Sequence, residues 1–138
     1  MHVTLMEKEA AESPKLVENQ LKVNASLWRS ICDEVKKHEI YFAMTVARGS
    51  SDHAAKFGKF LFETKQGWLT ASAAPSIFTV YESALRMKHA FVVGVSQSGQ
   101  SPDICEVMRC SQAQGALTVA LVNKPNSPLA KEAQFEVP

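Results

Sequence analysis

A chain of 138 residues suits a single domain, and its 46% hydrophobic content is enough to bury a core. Fifteen basic residues against fourteen acidic ones leave a net charge of +1, and the basic residues form no long run. Neither nucleic acid nor an anionic membrane is therefore expected as a partner. The cysteines Cys32, Cys105 and Cys110 are odd in number and fit no metal-ligand spacing. They read as ordinary thiols of a reducing, cytoplasmic compartment, with no metal and no other cofactor expected. Glu7, Lys8, Glu9 and Glu12 interrupt any signal-like apolar run near the start. The longest apolar runs are strand-sized, too short to span a bilayer.

In chain order, Ser13-Pro14 reads as a helix start, with Ser13 as N-cap and Pro14 at the first helical position. Val17, Leu21, Trp28, Ile31 and Val35 then share a face, so one helix is expected to about Lys37, preceded by a short helix or arm. Ile40 to Ala47 is rich in aromatic and β-branched residues and nearly uncharged, the pattern of a parallel strand buried on both faces. Arg48-Gly49-Ser50-Ser51 ends it, and Ser51 or Asp52 caps a helix carrying Ala54, Phe57, Leu61 and Phe62 as far as Gly67. A short strand is expected over Trp68 to Ala71 and a short helix over Pro75 to Tyr81.

The third strand, Phe91 to Ser96, delivers the loop Ser96-Gln97-Ser98-Gly99-Gln100-Ser101 to a helix that starts at Pro102 and stops near Gly115. Leu117 to Val122 is a fourth strand, Ser127-Pro128 opens a helix to about Gln134, and Phe135 to Val137 begins a fifth strand. Strands alternating with helices imply right-handed crossovers and a parallel sheet covered on both faces. Ligands of such sheets sit beyond the carboxyl ends of the strands. Two Ser- and Gly-bearing loops leave strand ends there, and the second feeds a helix whose first N–H groups favour an anion. It has no Lys, unlike the nucleotide phosphate loop, so hydroxyls and amides point to a small phosphorylated metabolite.

These residues carry a resemblance. Ala47 to Ala54, Ser72-Ala73-Ala74-Pro75-Ser76, Ser96 to Asp103, and Asn123 with Ser127-Pro128-Leu129-Ala130 together resemble the first half of a double sugar isomerase (SIS) domain protein. The subgroup indicated is the glucosamine-6-phosphate deaminases and isomerases related to the isomerase half of glucosamine-6-phosphate synthase. The resemblance implies an α/β fold, a three-layer α-β-α sandwich on a five-stranded parallel sheet of flavodoxin-like SIS type. Residues 1–38 would be an N-terminal helical segment and residues 39–138 the SIS domain. It also implies that Ser96, Gln97, Ser98 and Ser101 grip a sugar 6-phosphate and that Ser50 and Ser51 reach in from the opposite loop. Gly49 and Gly99 would let backbone approach the ligand closely.

For a full-length protein the resemblance implies conversion of glucosamine 6-phosphate to fructose 6-phosphate and ammonia. The proton-moving carboxylate and ring-opening histidine would lie in a second SIS half beyond residue 138. On that reading the chain is a piece of a longer protein, binds phosphosugar weakly and is inactive alone. A glutamine-dependent synthase is the alternative, disfavoured by how little precedes the first helix. A sugar-phosphate sensor is another, although residues 1–38 are too short and too weakly basic for a helix-turn-helix domain with linker.

Single residues leave choices open. Arg48 suits either a phosphate oxygen or a neighbouring carboxylate. His53 suits a general base but fits better as a locally bonded first-turn residue, and Asp103 fits helix stabilisation better than catalysis. Glu63 and Glu82 suit a partner's site but fit better as solvated residues, His2, His38 and His89 have no metal-like spacing, and Trp28 and Phe57 read as core or interface. An unpaired half exposes apolar surface, so self-association, first of all as a homodimer, is expected.

Overall fold

The computed structural model describes residues 4–138. The chain runs α1 (Leu5–Val23), α2 (Ala25–Lys37), β1 (Phe42–Ala47), α3 (Ser51–Leu61), β2 (Leu69–Ser72), α4 (Pro75–Thr79), β3 (Ala90–Ser96), α5 (Pro102–Ala113), β4 (Leu117–Val122), α6 (Pro128–Lys131) and β5 (Phe135–Val137). All strand pairings are parallel, and the order across the sheet is β2-β1-β3-β4-β5. This is the expected three-layer α/β sandwich with a flavodoxin-like strand order.

Two apolar clusters, one on each face of the sheet, hold the layers together. Met44, Val46, Val92, Ala120 and Val122 meet Ile104, Val107 and Met108 of α5 and Leu129 of α6 on one face. Ala43, Phe91, Val93, Val119 and Val137 meet Ile31 of α2 on the other, with Leu27, Trp28, Val35 and Phe62 packed around them. Alternate residues of each strand therefore enter opposite clusters, which explains why the strands are apolar throughout. Both clusters support the carboxyl ends of β1, β3 and β4, where the loops of interest emerge.

The N-terminal helices depart from expectation. Helix α1 begins at Leu5, eight residues before Ser13, because Thr4 and Glu7 form a capping box. Thr4 Oγ1 accepts from the Glu7 amide at 3.3 Å, and a Glu7 carboxylate oxygen accepts from the Thr4 amide at 2.8 Å. These bonds hold the Glu7 carboxyl below its usual range. Ser13 is no cap. Its hydroxyl donates back to the Glu9 carbonyl, and Pro14 lies inside the helix. The single expected helix is two, divided at Asn24, which ends α1 and begins α2. Only the second half of the anticipated apolar face packs on the sheet, since Val17 and Leu21 are exposed and α1 has no buried residue.

Helix α3 also presents a different face. Ala55 is buried and Phe62 packs on the sheet, while Phe57 is 64% exposed and Ala54 faces solvent. Ser50 is the N-cap residue, rather than Ser51 or Asp52. The helix continues through a π turn, Phe62–Gln66, to a left-handed Gly67. Helices α4 and α6 are shorter than expected at their C-terminal ends, whereas β4 and β5 run as anticipated.

Candidate functional site

Strand order places the site. After β1 the chain turns outward to β2, and after β3 it turns the other way to β4, so a crevice opens at the carboxyl ends of β1 and β3. Register fixes which residues meet there. Ala47 lies beside Val95 and Ser96 beside Val122, so the loops starting at Arg48, Gln97 and Asn123 leave the sheet at one level. A hollow of about 380 Å³ opens at this edge. Ser51, Ser96, Gln97 and Asn123 line it together with Trp28 of α2 and Gln20 of α1.

The Ser96 loop is built from its own side chains. Ser96 is buried, and its Oγ accepts from the Gly99 amide at 3.1 Å, which closes a tight turn. Exposed Ser98 accepts from the Gln100 amide at 3.4 Å. The Gln97 carbonyl takes the Asn123 amide, and the Gly99 carbonyl takes the Leu129 amide at 3.0 Å. The loop is thus anchored to the two segments that follow β4. Gly99 has φ +61, and a Cβ on it would stand 2.1 Å from Ser127 Oγ. The space beside Gly99 belongs to Ser127, which caps α6 through the Ala130 amide. Gly49 shares the left-handed conformation, φ +58, but has open space around it.

Ser101 is the N-cap of α5, yet its side chain makes no capping bond. The first helical bond of α5 runs from the Cys105 amide to the Ser101 carbonyl, so the amides of Asp103 and Ile104 precede the ladder and have no partner within it. The start of α3 is different. The amides of Asp52 and His53 already donate to the Gly49 and Ser50 carbonyls, which leaves mainly the hydroxyls of Ser50 and Ser51 for a ligand. Arg48 binds a carboxylate: Nη1 is 3.3 Å from Oδ2 of Asp103. His53 is exposed at the start of α3.

The structure therefore brings Ser51, Ser96 and Gln97 to one hollow. Ser50, Ser98, Ser101 and Gly49 lie on the same two loops but do not line it, and Gly99 is buried within the second loop. Trp28 and Gln20 line the hollow without having been expected there. The amphipathic face of α2 put Trp28 against the sheet, but only the position of α2 over the strand ends shows that it borders the crevice. Gln20 gives no sequence signal, and its side-chain amide donates to the Pro138 carbonyl at 2.9 Å. A second hollow of about 850 Å³ lies between α4 and α5, with Glu82, Asp103, Glu106 and Arg109 on its walls. Among the described residues, no helix is long and apolar enough to cross a membrane.

A doubly wound sheet with Ser-rich loops at its switch point defines a class, and comparison with known proteins gives the family. Residues 35–137 match the SIS domain family, and the chain belongs to it. It is 31% identical over 132 residues to glutamine–fructose-6-phosphate aminotransferase (isomerizing) of Aquifex aeolicus, a match covering 96% of this chain and 22% of that protein. A solved structure from Silicibacter pomeroyi, provisionally named a phosphosugar isomerase, superposes with TM-score 0.88 at 37% identity, covering 94% of this chain and 40% of the other. The C-terminal domain of glucosamine-fructose-6-phosphate aminotransferase from Francisella tularensis shares the fold with TM-score 0.79 at 23% identity, over 99% of this chain and 39% of that one. The chain thus spans less than half the length of each of these proteins.

Proposed function

We propose that the crevice between β1 and β3 binds the phosphoryl group of a sugar phosphate. In the full protein, we propose that this binding serves conversion of an amino-sugar 6-phosphate to a ketose phosphate with release of ammonia. The observation that carries the reading is the convergence of Ser51, Ser96 and Gln97 on one hollow, with the Ser96 loop running on to an α5 N-terminus that has no side-chain cap. Hydroxyl and amide donors suit a dianion that must be held and later released, because each bond to a charged group is worth about 1.5–3 kcal/mol. The family assignment and the names of its relatives support the same substrate class.

No Asp or Glu lines this hollow among the described residues. The proposed role of the chain is accordingly to bind and orient. A general base for moving a proton between adjacent sugar carbons must come within hydrogen-bond reach from elsewhere in the full protein. Binding the remote phosphate would align the sugar for that step. The proposed grip includes Ser50, Ser98 and Ser101, with the backbone at Gly49 and Gly99 forming the loop turns.

Titration calorimetry tests this. Glucosamine 6-phosphate and fructose 6-phosphate should bind, while the sugars without phosphate should not. Ser51→Ala should weaken binding about tenfold or more, as loss of one charge-assisted hydrogen bond requires. Equal binding of sugar and sugar phosphate would overturn the proposal.

A further inference from the structure

Two carboxylates flank the loops proposed above to hold phosphate: Asp52, next to Ser51 and paired with Lys56 at 2.8 Å, and Asp103. Asp103 stands in the first turn of α5, two residues after the uncapped Ser101. A carboxylate there interacts with the same positive end of the helix that a phosphate would use, and it repels a phosphate. The neighbouring loop supplies a counter-charge. Arg48, just past the end of β1, places Nη1 3.3 Å from Oδ2 and 3.4 Å from Oδ1 of Asp103. The two residues lie 55 positions apart in sequence, and they meet because β1 and β3 are neighbours in the sheet.

Arg48 remains 66% exposed and Asp103 22% exposed, and exposed pairs of this kind add little to stability. The effect of the pair is local and electrostatic. It sets a positive charge against Asp103, which lies on the wall of the separate hollow between α4 and α5. We infer that Arg48 is a positioning residue for anion binding: it acts through Asp103, neutralising and holding that carboxylate, and does not itself ligate the phosphate. The inference rests on the phosphosugar reading.

A double-mutant cycle, read by calorimetric titration with glucosamine 6-phosphate, tests it. Arg48→Gln exposes an uncompensated carboxylate and should weaken binding about tenfold, equal to about 1.4 kcal/mol. Asp103→Asn should bind at least as well as the native protein. The double variant Arg48→Gln/Asp103→Asn should return to within about threefold of native affinity, because the repelling charge is gone. Thermal midpoints of all four proteins should agree within about 3 °C, as for other surface changes.

A double variant as weak as Arg48→Gln would overturn the inference in favour of a direct Arg–phosphate contact. Unchanged binding by Arg48→Gln, or a loss of affinity that follows a lowered midpoint, would overturn it as well. Native protein that binds no sugar phosphate would remove the reading beneath it. Native binding without rescue would overturn this inference alone.

Discussion

Replacing Gly99 by Ala isolates the packing that shapes the Ser96 loop. The new methyl would lie 2.1 Å from Ser127 Oγ, 2.5 Å from Ser127 Cβ and 3.3 Å from Val122 Cγ1. Three costs combine. Holding a residue with a Cβ in the left-handed region costs about 1–2 kcal/mol. Forcing a methyl into filled space costs about 1–3 kcal/mol. Displacing Ser127 threatens the α6 cap, worth roughly 1 kcal/mol. The total should be about 4 kcal/mol, a large part of the roughly 5–15 kcal/mol that holds a domain together.

Gly49→Ala is the matched control. It has nearly the same φ, +58, with nothing within 4 Å of the added Cβ, so it should lose only about 1–2 kcal/mol. Urea unfolding followed by circular dichroism measures both. Gly99→Ala combined with Ser127→Gly should recover part of the loss, because the main obstruction is the Ser127 side chain. Equal destabilisation by the two alanine variants would refute the packing argument.

Other expectations concern different parts of the molecule. Pro14→Ala should raise the far-ultraviolet helix signal without altering binding, since an interior proline costs a helix about 3 kcal/mol and α1 has no buried residue. Unchanged helicity would show that α1 tolerates the ring without strain. Burial pushes up the Cys105 thiol, aided by the Glu132 and Asp103 charges, and burial with a hydrogen bond to Glu106 pushes up Cys110. Raised values mean less thiolate at a given pH, so at about pH 8 iodoacetamide should modify exposed Cys32 well before the other two. Mass spectrometry finding Cys105 first would contradict this. We propose that copies of the chain associate through the exposed Phe57 and Phe60 of α3. Sedimentation equilibrium should show a dimer that Phe57→Glu/Phe60→Glu returns to monomer, and a monomeric native protein at high concentration would count against the pairing.

The sheet was legible because its strands are short apolar runs punctuated by Gly, Ser and Pro. A strand buried on both faces needs no partner to be recognised, and Leu117–Val122 and Phe135–Val137 fall where their sequences suggest. The helices were read less well because periodicity identifies a face but not what covers it. Val17 and Leu21 look like core residues, yet both are exposed on α1. Pro14 looked like a start because first-turn proline is favourable, but the capping box at Thr4 and Glu7 sets the start instead. On α3 the apolar residues surround much of the helix, and the sheet takes Ala55 and Phe62 while Phe57 and Phe60 stay outside.

The candidate site divides along the same line. The Ser96 loop could be found from local sequence, since a strand, a Ser/Gly turn and a Pro-led helix lie consecutively. Its convergence with Ser51, and the Arg48–Asp103 pair, depend on strand order and register. The reason for glycine at position 99 was hidden because the neighbour that fills its space, Ser127, is 28 residues further along and approaches only when α6 packs beneath the loop.

An amide-resolved nuclear magnetic resonance titration of the uniformly labelled protein with glucosamine 6-phosphate tests the central claim most directly. The account predicts that the largest shifts fall on residues 49–52 and 97–104, with residues 78–87 and 106–114, around the other hollow, nearly unmoved. Shifts concentrated between α4 and α5, or equally large shifts with glucosamine lacking its phosphate, would contradict it.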